Sequence, residues 1–175
     1  MSLYELKKYK KIIFDFDGVF TDNCIYYGVN DLEIMKFSKD DSLALDILRK
    51  FISEKEIKID LMILTRDKNK IITRRAKVMK LKLFTGIFDK FLFVNDLINK
   101  ENKKSKLKFK EIIYLGNGLN DYKLMKRAGL SFAPIDSNKL VKNISTHILN
   151  KKGGDGVILE FLNFFVDTSD QLKYL

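Results

Sequence analysis

Cysteine, histidine and long apolar runs are scarce in this chain of 175 residues. The single cysteine, Cys24, excludes an intrachain disulfide, argues against a cysteine-based metal site and fits a reducing cytoplasm. His147, the only histidine, belongs to no motif, so we expect it to be structural or exposed. No window approaches the roughly 18 consecutive apolar residues of a membrane span, and Asp15 and Asp17 cut short the apolar run that follows the basic N-terminus. The sequence therefore predicts a cytoplasmic protein without a signal peptide.

A clustered basic patch is also missing, although the net charge is +10, from 33 Lys and Arg against 23 Asp and Glu. A charge of this size is compatible with an anionic partner, such as nucleic acid, a membrane surface or a phosphorylated substrate. The lysines are scattered, however, and no arginine-rich or aromatic-interleaved segment accompanies them. We therefore predict neither nucleic acid nor a membrane as partner, and we expect a few of the cations to serve an active site.

Apolar runs alternate with helical patterns along the chain. The runs KIIF, IDLMIL, EIIYL and LSFA predict strands, and the segments between them predict helices. This alternation predicts an α/β fold, a doubly wound, Rossmann-like parallel sheet with helices on both faces. Two short runs around the turn sequence GVND predict a hairpin at about residues 24–37, inserted after the first strand. We expect a single domain over residues 1–165 and a tail, residues 166–175, that is free to move.

Polar side chains follow several of the predicted strands, at the edge where an open parallel sheet binds its ligands. Asp15 and Asp17 follow the first strand, and Thr65 follows the run LMIL. Three more follow the run IIYL, namely Asn117, Asn120 and Asp121, and Lys90 comes after FTGIF. We expect these side chains to converge on one crevice.

Asp15 and Asp17 are one residue apart, so the alternation of a strand directs both to one region while Phe16 packs away. Two carboxylates this close repel each other unless a cation neutralises them or one holds a proton. Mg²⁺, which takes oxygen ligands, does this beside phosphates. Gly18 lets the backbone turn sharply and approach a ligand. A lone D-x-D also fits a helix cap or a turn, but a pair placed directly on an apolar run favours a functional site.

The stretch DFDGVFTD resembles the first motif, D-x-D-G-V-x-T-D, of the haloacid dehalogenase superfamily of phosphohydrolases. The later motifs follow in the order of that family: Thr65 after a strand, then a lysine, then the glycine-led loop GNGLND. The segments TRRAKVMKLKLFTGIFDK and KKGGDGVILEF are similar to those of its small capless branch, which includes 3-deoxy-octulosonate 8-phosphate and nonulosonate 9-phosphate phosphatases. The resemblance implies a sheet with no separate cap domain.

The same resemblance implies a phosphatase that hydrolyses a phosphorylated 2-keto sugar acid through an aspartyl-phosphate. Asp15 would be the nucleophile and Asp17 the general acid and base. Thr65 would hydrogen-bond the phosphoryl oxygens, and Lys90 would pair with the nucleophile and the phosphate.

The resemblance also implies a Mg²⁺ site and a substrate pocket. Mg²⁺ would bind Asp15, the backbone carbonyl of Asp17 and Asn117. Asp121 and Asn120 would stabilise these ligands without binding the metal directly. The residues implied in substrate contact are Gly18, Arg66 and Asp67.

Two departures from the family pattern leave alternatives open. Asn117 stands where the family has an aspartate, so an oxygen ligand remains but a charge is lost, and Asp121 could partly compensate, through water or by shifting inward. Arg66 and Asp67 stand where relatives have Gly-Arg or Gly-Glu; Arg66 either binds a substrate carboxylate or pairs at the surface. The alternatives are a phosphatase for another small phosphate ester, or a weakened enzyme that acts by binding or assembly. A nucleic-acid 3′-phosphatase would fit the net charge, but the sequence shows no clustered basic segment that would form a groove for nucleic acid.

The predicted hairpin is too apolar for an isolated two-stranded ribbon in water. Its apolar side chains include Ile25, Tyr26, Tyr27, Ile34, Met35 and Phe37. In the capless branch such hairpins pack between the subunits of a tetramer, and neighbouring subunits close the active site. The resemblance therefore implies a homo-oligomer, a tetramer.

Overall fold

A computed structural model describes residues 3–101 and 107–175 of the chain. Its main sheet has six strands in the order β5-β4-β1-β6-β7-β8, and every neighbouring pair is parallel. The strands are β1 (Lys11–Phe14), β4 (Asp60–Leu64), β5 (Lys82–Phe84), β6 (Ile112–Leu115), β7 (Leu130–Ala133) and β8 (His147–Ile148). From β1 the chain first builds outward through β4 and β5, then returns to add β6 on the other side. The order thus reverses between β1 and β6, where such sheets open a crevice.

Helices connect the strands and lie on both faces of the sheet. They are α1 (Leu3–Leu6), α2 (Lys39–Glu54), α3 (Lys70–Val78), α4 (Lys90–Glu101), α5 (Tyr122–Met125), α6 (Lys139–Ile144), α7 (Val157–Leu162) and α8 (Thr168–Gln171). The prediction of a helix from Asp89 extends past Glu101 into residues 102 and 103, which lie outside the described residues, as does the first half of the lysine-rich segment 102–111. No helix in the described ranges is long and apolar enough to cross a membrane.

The alternation of strand side chains divides the interior into two cores. Ile12 and Phe14 of β1 point into the core that contains α2, α3 and α7. Ile13 points to the opposite core, which contains α4, α5 and α6. Because successive side chains of a strand alternate between faces, the residue after Phe14 belongs to the second face. This arrangement confirms the predicted doubly wound sheet.

The predicted hairpin is present after β1. Strand β2 (Tyr26–Tyr27) pairs antiparallel with β3 (Glu33–Ile34), and the two form a separate two-stranded sheet. Tyr27 is 71% exposed and Val29, in the turn, is 85% exposed. A ribbon of two residues a strand leaves these apolar side chains facing solvent in the isolated chain.

The chain after Val166 differs from the expected free tail. It forms α8 and a final 3₁₀ turn, Leu172–Tyr174, which packs against α2. The Tyr174 ring is buried edge-on against Phe51, with 5.6 Å between ring centroids. Lys50 Nζ donates to the carbonyl oxygen of Leu175. In the structure one aromatic side chain, which the tail itself supplies, covers an apolar face of α2.

Candidate active site

The carboxylate of Asp15 lies at the carboxyl end of β1, on the face that α4 covers. Its backbone N–H continues the sheet by donating to Leu115 O at 2.8 Å. Lys90 is the first residue of α4, and its Nζ lies 2.6 Å from Asp15 Oδ1. The Phe16 N–H donates to the same oxygen at 2.7 Å. The alternation of β1 and the start of α4 therefore bring a carboxylate and an ammonium into contact beneath the crevice.

Lys90 is held between two carboxylates. Its Nζ also lies 2.7 Å from Asp121 Oδ1, and both Lys90 and Asp121 are 0% exposed. Burial disfavours the ammonium, but Asp15 and Asp121 outweigh this effect, so the pKa of Lys90 lies above its ordinary value. When Asp15 and Asp121 are both ionised, two carboxylates face one ammonium, so the buried group would carry one negative charge in excess and would attract a further cation.

Asp121 has all its acceptor positions engaged. Tyr114 Oη donates to Oδ1 at 2.7 Å, and the backbone N–H groups of Asn117 and Gly118 donate to Oδ2 at 3.0 Å each. Burial would raise the pKa of Asp121, but Lys90 and the hydrogen bonds with Asp15 and Tyr114 lower it below the ordinary value. Asp121 therefore stays ionised and holds the loop after β6 in place.

The pKa of Asp15 is shifted in the opposite direction from that of Asp121. Burial, followed by the neighbouring Asp121 carboxylate, holds the pKa of Asp15 well above its ordinary value, and Lys90 offsets only part of this. Ionising the Asp15 carboxyl is therefore harder than ionising a free aspartate, and another positive charge beside it would make ionisation easier.

Asn117 lies directly against Gly18. Gly18 has a φ of +77°, which favours glycine, and a Cβ there would fall 1.6 Å from Asn117 Nδ2, so a side chain at position 18 would displace the Asn117 amide. The Asn117 carbonyl accepts from the N–H of Asn138 at 3.0 Å, which fixes its backbone. The loops after β1 and β6 thus meet through a Gly–Asn contact at the mouth of the crevice.

Asp17 is half-buried in the loop that follows Asp15. Burial, and then the Asp67 carboxylate, raise the pKa of Asp17 above its ordinary value, against the influence of Lys90 and Thr21. Thr21 Oγ1 accepts from the N–H groups of Gly18 and Asn23 at 3.2 Å each, which closes the loop into a compact turn. A carboxyl with a raised pKa in such a turn is suited to donate a proton.

The residues after β4 form the next wall of the crevice. Thr65 is buried, and its Oγ1 accepts from the Asp67 N–H at 3.1 Å. The Asp67 carboxylate accepts in turn from the N–H of Asn69, so its position is fixed. Arg66 is exposed, with its guanidinium 5.0 Å from the centre of the Phe88 ring. Arg66 therefore packs on Phe88 at the rim of the crevice. The sequence predicts either contact with a substrate carboxylate or an ion pair at the surface.

The structure brings most of the predicted residues together and leaves one outside. Asp15, Lys90 and Asp121 are in direct contact, and Asn117 touches Gly18. Asn120 is exposed, and its side chain lies over Gly118.

Sequence reasoning missed Tyr114. The signal was available, because a tyrosine inside an otherwise aliphatic buried strand must find a partner for its hydroxyl.

The donors present fit a hard cation such as Mg²⁺. The Asp15 carboxylate, the Asn117 amide oxygen and the backbone carbonyl of Asp17 are all oxygen ligands. No group of three or more His, Cys, Asp or Glu side chains arranged for a metal occurs within residues 3–101 and 107–175. This absence is compatible with the proposed ligands, because only Asp15 among them is an acidic side chain. The other two are the amide of Asn117 and the backbone carbonyl of Asp17. A cation at this position would neutralise the Asp15 carboxylate and so offset the burial and the Asp121 charge that raise the pKa of Asp15.

A family described as haloacid dehalogenase-like hydrolase matches residues 7–161 of the chain. Among characterised proteins, 3-deoxy-D-manno-octulosonate 8-phosphate phosphatase of Haemophilus influenzae is 29% identical over 157 residues, which cover 89% of this chain and 82% of the relative. The protein of the same name from Yersinia pestis is 27% identical over 163 residues, covering 93% of this chain and 82% of the relative.

The solved structures agree with this similarity. The same phosphatase from Moraxella catarrhalis, in complex with a magnesium ion, a phosphate ion and a KDO molecule, superposes with a TM-score of 0.79 at 26% identity, covering 98% of this chain and 90% of that chain. The Yersinia pestis phosphatase superposes with a TM-score of 0.77 at 26% identity, covering 91% and 82%.

Proposed function

Since the chain belongs to the haloacid dehalogenase-like hydrolases, we propose that it hydrolyses the phosphate ester of a 2-keto sugar acid with the help of Mg²⁺. It is a phosphatase related to the 3-deoxy-D-manno-octulosonate 8-phosphate phosphatases. The proposed substrate is of the 3-deoxy-octulosonate 8-phosphate or nonulosonate 9-phosphate type. The observation that carries the proposal is the buried contact of Asp15 with Lys90 at the switch point of the sheet.

In the proposed reaction, a carboxylate oxygen of Asp15 attacks phosphorus and the bond from phosphorus to the sugar oxygen breaks. Asp17 gives its proton to the departing sugar oxygen. In the second step Asp17 takes a proton from water as the water oxygen attacks phosphorus, which releases inorganic phosphate and restores the Asp15 carboxylate. The raised pKa of Asp17 supports the first of these proton transfers.

Lys90 and Thr65 would hold the phosphoryl group. Lys90 is fixed by Asp15 and Asp121 and presents a permanent charge, so it needs no reorganisation when negative charge develops. The buried Thr65 hydroxyl lies after the neighbouring strand and would donate to a phosphoryl oxygen. Gly18, Arg66 and Asp67 would contact the sugar acid.

Mg²⁺ would be held by Asp15, the Asp17 carbonyl and Asn117, and it would supply positive charge next to the phosphoryl oxygens. Bound there, a divalent cation would lower the pKa of Asp15 and keep the nucleophile ionised. The amide of Asn117 offers oxygen but no charge, so we expect weaker Mg²⁺ binding than a carboxylate would give. That difference supports a second candidate, a weakened enzyme that acts by binding or assembly.

We further propose a cytoplasmic homotetramer in which the β2–β3 hairpin is covered by neighbouring subunits. The exposed Tyr27, Val29 and Leu32 support this part of the proposal, because an apolar ribbon in water needs a partner surface. Gel filtration or light scattering that shows a clean monomer would contradict it.

The decisive experiment measures phosphate release from sugar-acid phosphates, simple sugar phosphates and a 3′-phosphorylated oligonucleotide, each with and without Mg²⁺. We expect release from a sugar-acid phosphate that depends on Mg²⁺ and is lost in Asp15→Asn. Release that survives Asp15→Asn would rule out the nucleophile. Release from the other esters alone would replace the substrate class, and no release from any ester would favour the binding protein.

A further inference from the structure

Asp41 is a buried carboxylate outside the catalytic crevice. It lies in the first turn of α2 and is 1% exposed. Its Oδ1 accepts from the backbone N–H of Ile158 at 2.8 Å, at the start of α7. Burying a carboxylate costs free energy unless hydrogen bonds or an opposite charge compensate for the lost water.

The hydrogen bond of Asp41 caps a helix that has no cap of its own. Helix α7 begins after Gly156, which has a φ of +84° and no side chain to accept from the first turn. An N-terminus of this kind leaves backbone N–H groups without partners. Asp41 supplies the missing acceptor from a distant part of the chain, so it ties the start of α7 to the start of α2.

Two charged groups face Asp41, one from its own helix and one from α3. They are Asp40 and Arg75. Arg75 is otherwise engaged, because its Nη2 donates to the Ser38 carbonyl at 3.0 Å and to the Ser42 hydroxyl. Burial, opposed by the α7 N–H groups, raises the pKa of Asp41 to about 6. The contact with α7 requires an acceptor oxygen at this position, because Oδ1 accepts from the Ile158 N–H.

The turn that leads into α7, at Gly153 and Gly154, contacts the backbone of the loop that carries Asp17. Gly154 N–H donates to Val19 O at 2.9 Å. A Cβ at Gly153 would fall 2.3 Å from Gly18 O and 2.7 Å from Thr21 O. Backbone thus meets backbone with no side chain between them, and a displacement of the turn passes directly to the loop.

A second tie holds the other end of the same segment. Glu160, in the first turn of α7, accepts from the N–H groups of Asn150 and Lys151 at 2.9 and 2.7 Å. The segment from 150 to 156 is therefore carried by the start of α7, and the start of α7 is held by Asp41.

We propose that Asp41 is a positioning residue for the phosphatase site: by capping α7 it holds the Gly153–Gly154 turn against the loop of residues 16–22 and so fixes the backbone that carries Asp17. This inference rests on the proposed function for its kinetic consequence. Its structural half, the link from Asp41 to the loop, can be tested without any substrate.

The test compares Asp41→Ala, which removes the acceptor, with Asp41→Asn, which keeps an acceptor oxygen. Asp46→Asn, on the same helix but exposed and paired with Arg49, is the matched control. We expect Asp41→Ala to lower kcat by on the order of tenfold with little change in KM. We expect Asp41→Asn and Asp46→Asn to stay near the wild-type kcat. Kinetics are measured where each variant is fully folded by circular dichroism.

Hydrogen exchange of the peptide over residues 16–22 supplies the readout that a purely structural role would not change. We expect faster exchange in Asp41→Ala than in Asp41→Asn. A lower melting temperature with unchanged kcat and unchanged exchange of this peptide would overturn the proposal. If wild type releases no phosphate from any ester, the proposed function fails, while the exchange comparison still decides the link.

Gly153→Ala disturbs the same link from its other end and serves if Asp41→Ala does not fold. We expect it to lower kcat and to accelerate exchange over residues 16–22, because its Cβ would meet backbone oxygen atoms. Wild-type values for both would contradict the proposal.

Discussion

Replacing Gly18 by alanine tests the contact with Asn117 on which the proposed metal site depends. Gly18 has a φ of +77°, and left-handed backbone costs an L-residue with a side chain roughly 1–2 kcal/mol. The new Cβ would also lie 1.6 Å from Asn117 Nδ2 and 2.4 Å from Asn117 Cγ. Both distances are far below van der Waals contact, so the Asn117 side chain must turn away.

Gly156→Ala is the matched control, because its φ is +84° and nothing lies within 4 Å of its Cβ. Both variants should lose about 1–2 kcal/mol of unfolding free energy from the backbone alone. Only Gly18→Ala should displace the Asn117 amide oxygen, and we expect its Mg²⁺ affinity to fall by about tenfold, which corresponds to roughly 1.4 kcal/mol.

The assay combines urea unfolding with a Mg²⁺ titration of melting temperature and of phosphate release. We expect Gly18→Ala to need more Mg²⁺ than Gly156→Ala for the same effect in both titrations. If the two variants lose the same stability and keep the same Mg²⁺ dependence, Asn117 does not contribute to the cation site through this contact.

Four further changes test the buried charges. Lys90→Met leaves two buried carboxylates without their cation, and we expect a loss of about 3–5 kcal/mol in urea unfolding; a loss below about 1 kcal/mol would contradict the buried pairing. Tyr114→Phe removes one donor to Asp121 and should cost about 1.5–3 kcal/mol in the same assay; an unchanged midpoint would show that the hydrogen bond contributes nothing. Asn117→Asp should tighten Mg²⁺ by about tenfold, seen as a larger rise of melting temperature with added Mg²⁺, and an unchanged rise would remove Asn117 from the ligands. The pKa of Asp41 is raised to about 6, so the folded state binds more protons than the unfolded state between about pH 4 and 6, and wild-type stability falls as pH rises through that range. Asp41→Asn should lack this decline, gaining up to about 3 kcal/mol relative to wild type by pH 7; parallel pH curves would refute the assignment.

The fold could be predicted because its determinants are local. Four-residue apolar runs between helical segments specify a parallel sheet, and the GVND turn specifies the hairpin. The docking of the chain end could not be predicted, because it depends on Tyr174 meeting Phe51 across more than a hundred residues of sequence. Side-chain packing of that kind has no periodic signature.

The site could be predicted at the level of strand ends but not at the level of contacts. Strand position places Asp15 and Thr65 at one edge of the sheet. The capping of α7 by Asp41 has no such sequence signal, because its partner is a backbone N–H 117 residues away. Long-range ties of this kind follow only from the packing of whole helices.

The geometry argues against an inward shift of Asp121 to replace the carboxylate that is missing at position 117. Asp121 accepts from Lys90, Tyr114 and the N–H groups of Asn117 and Gly118. Movement toward a metal would leave a buried ammonium and a buried hydroxyl with fewer partners, at a cost of several kcal/mol. One metal–carboxylate contact would have to exceed all of these together. Asp121 therefore stays in place, and in the proposed cation site the third ligand would be the amide oxygen of Asn117 rather than a carboxylate.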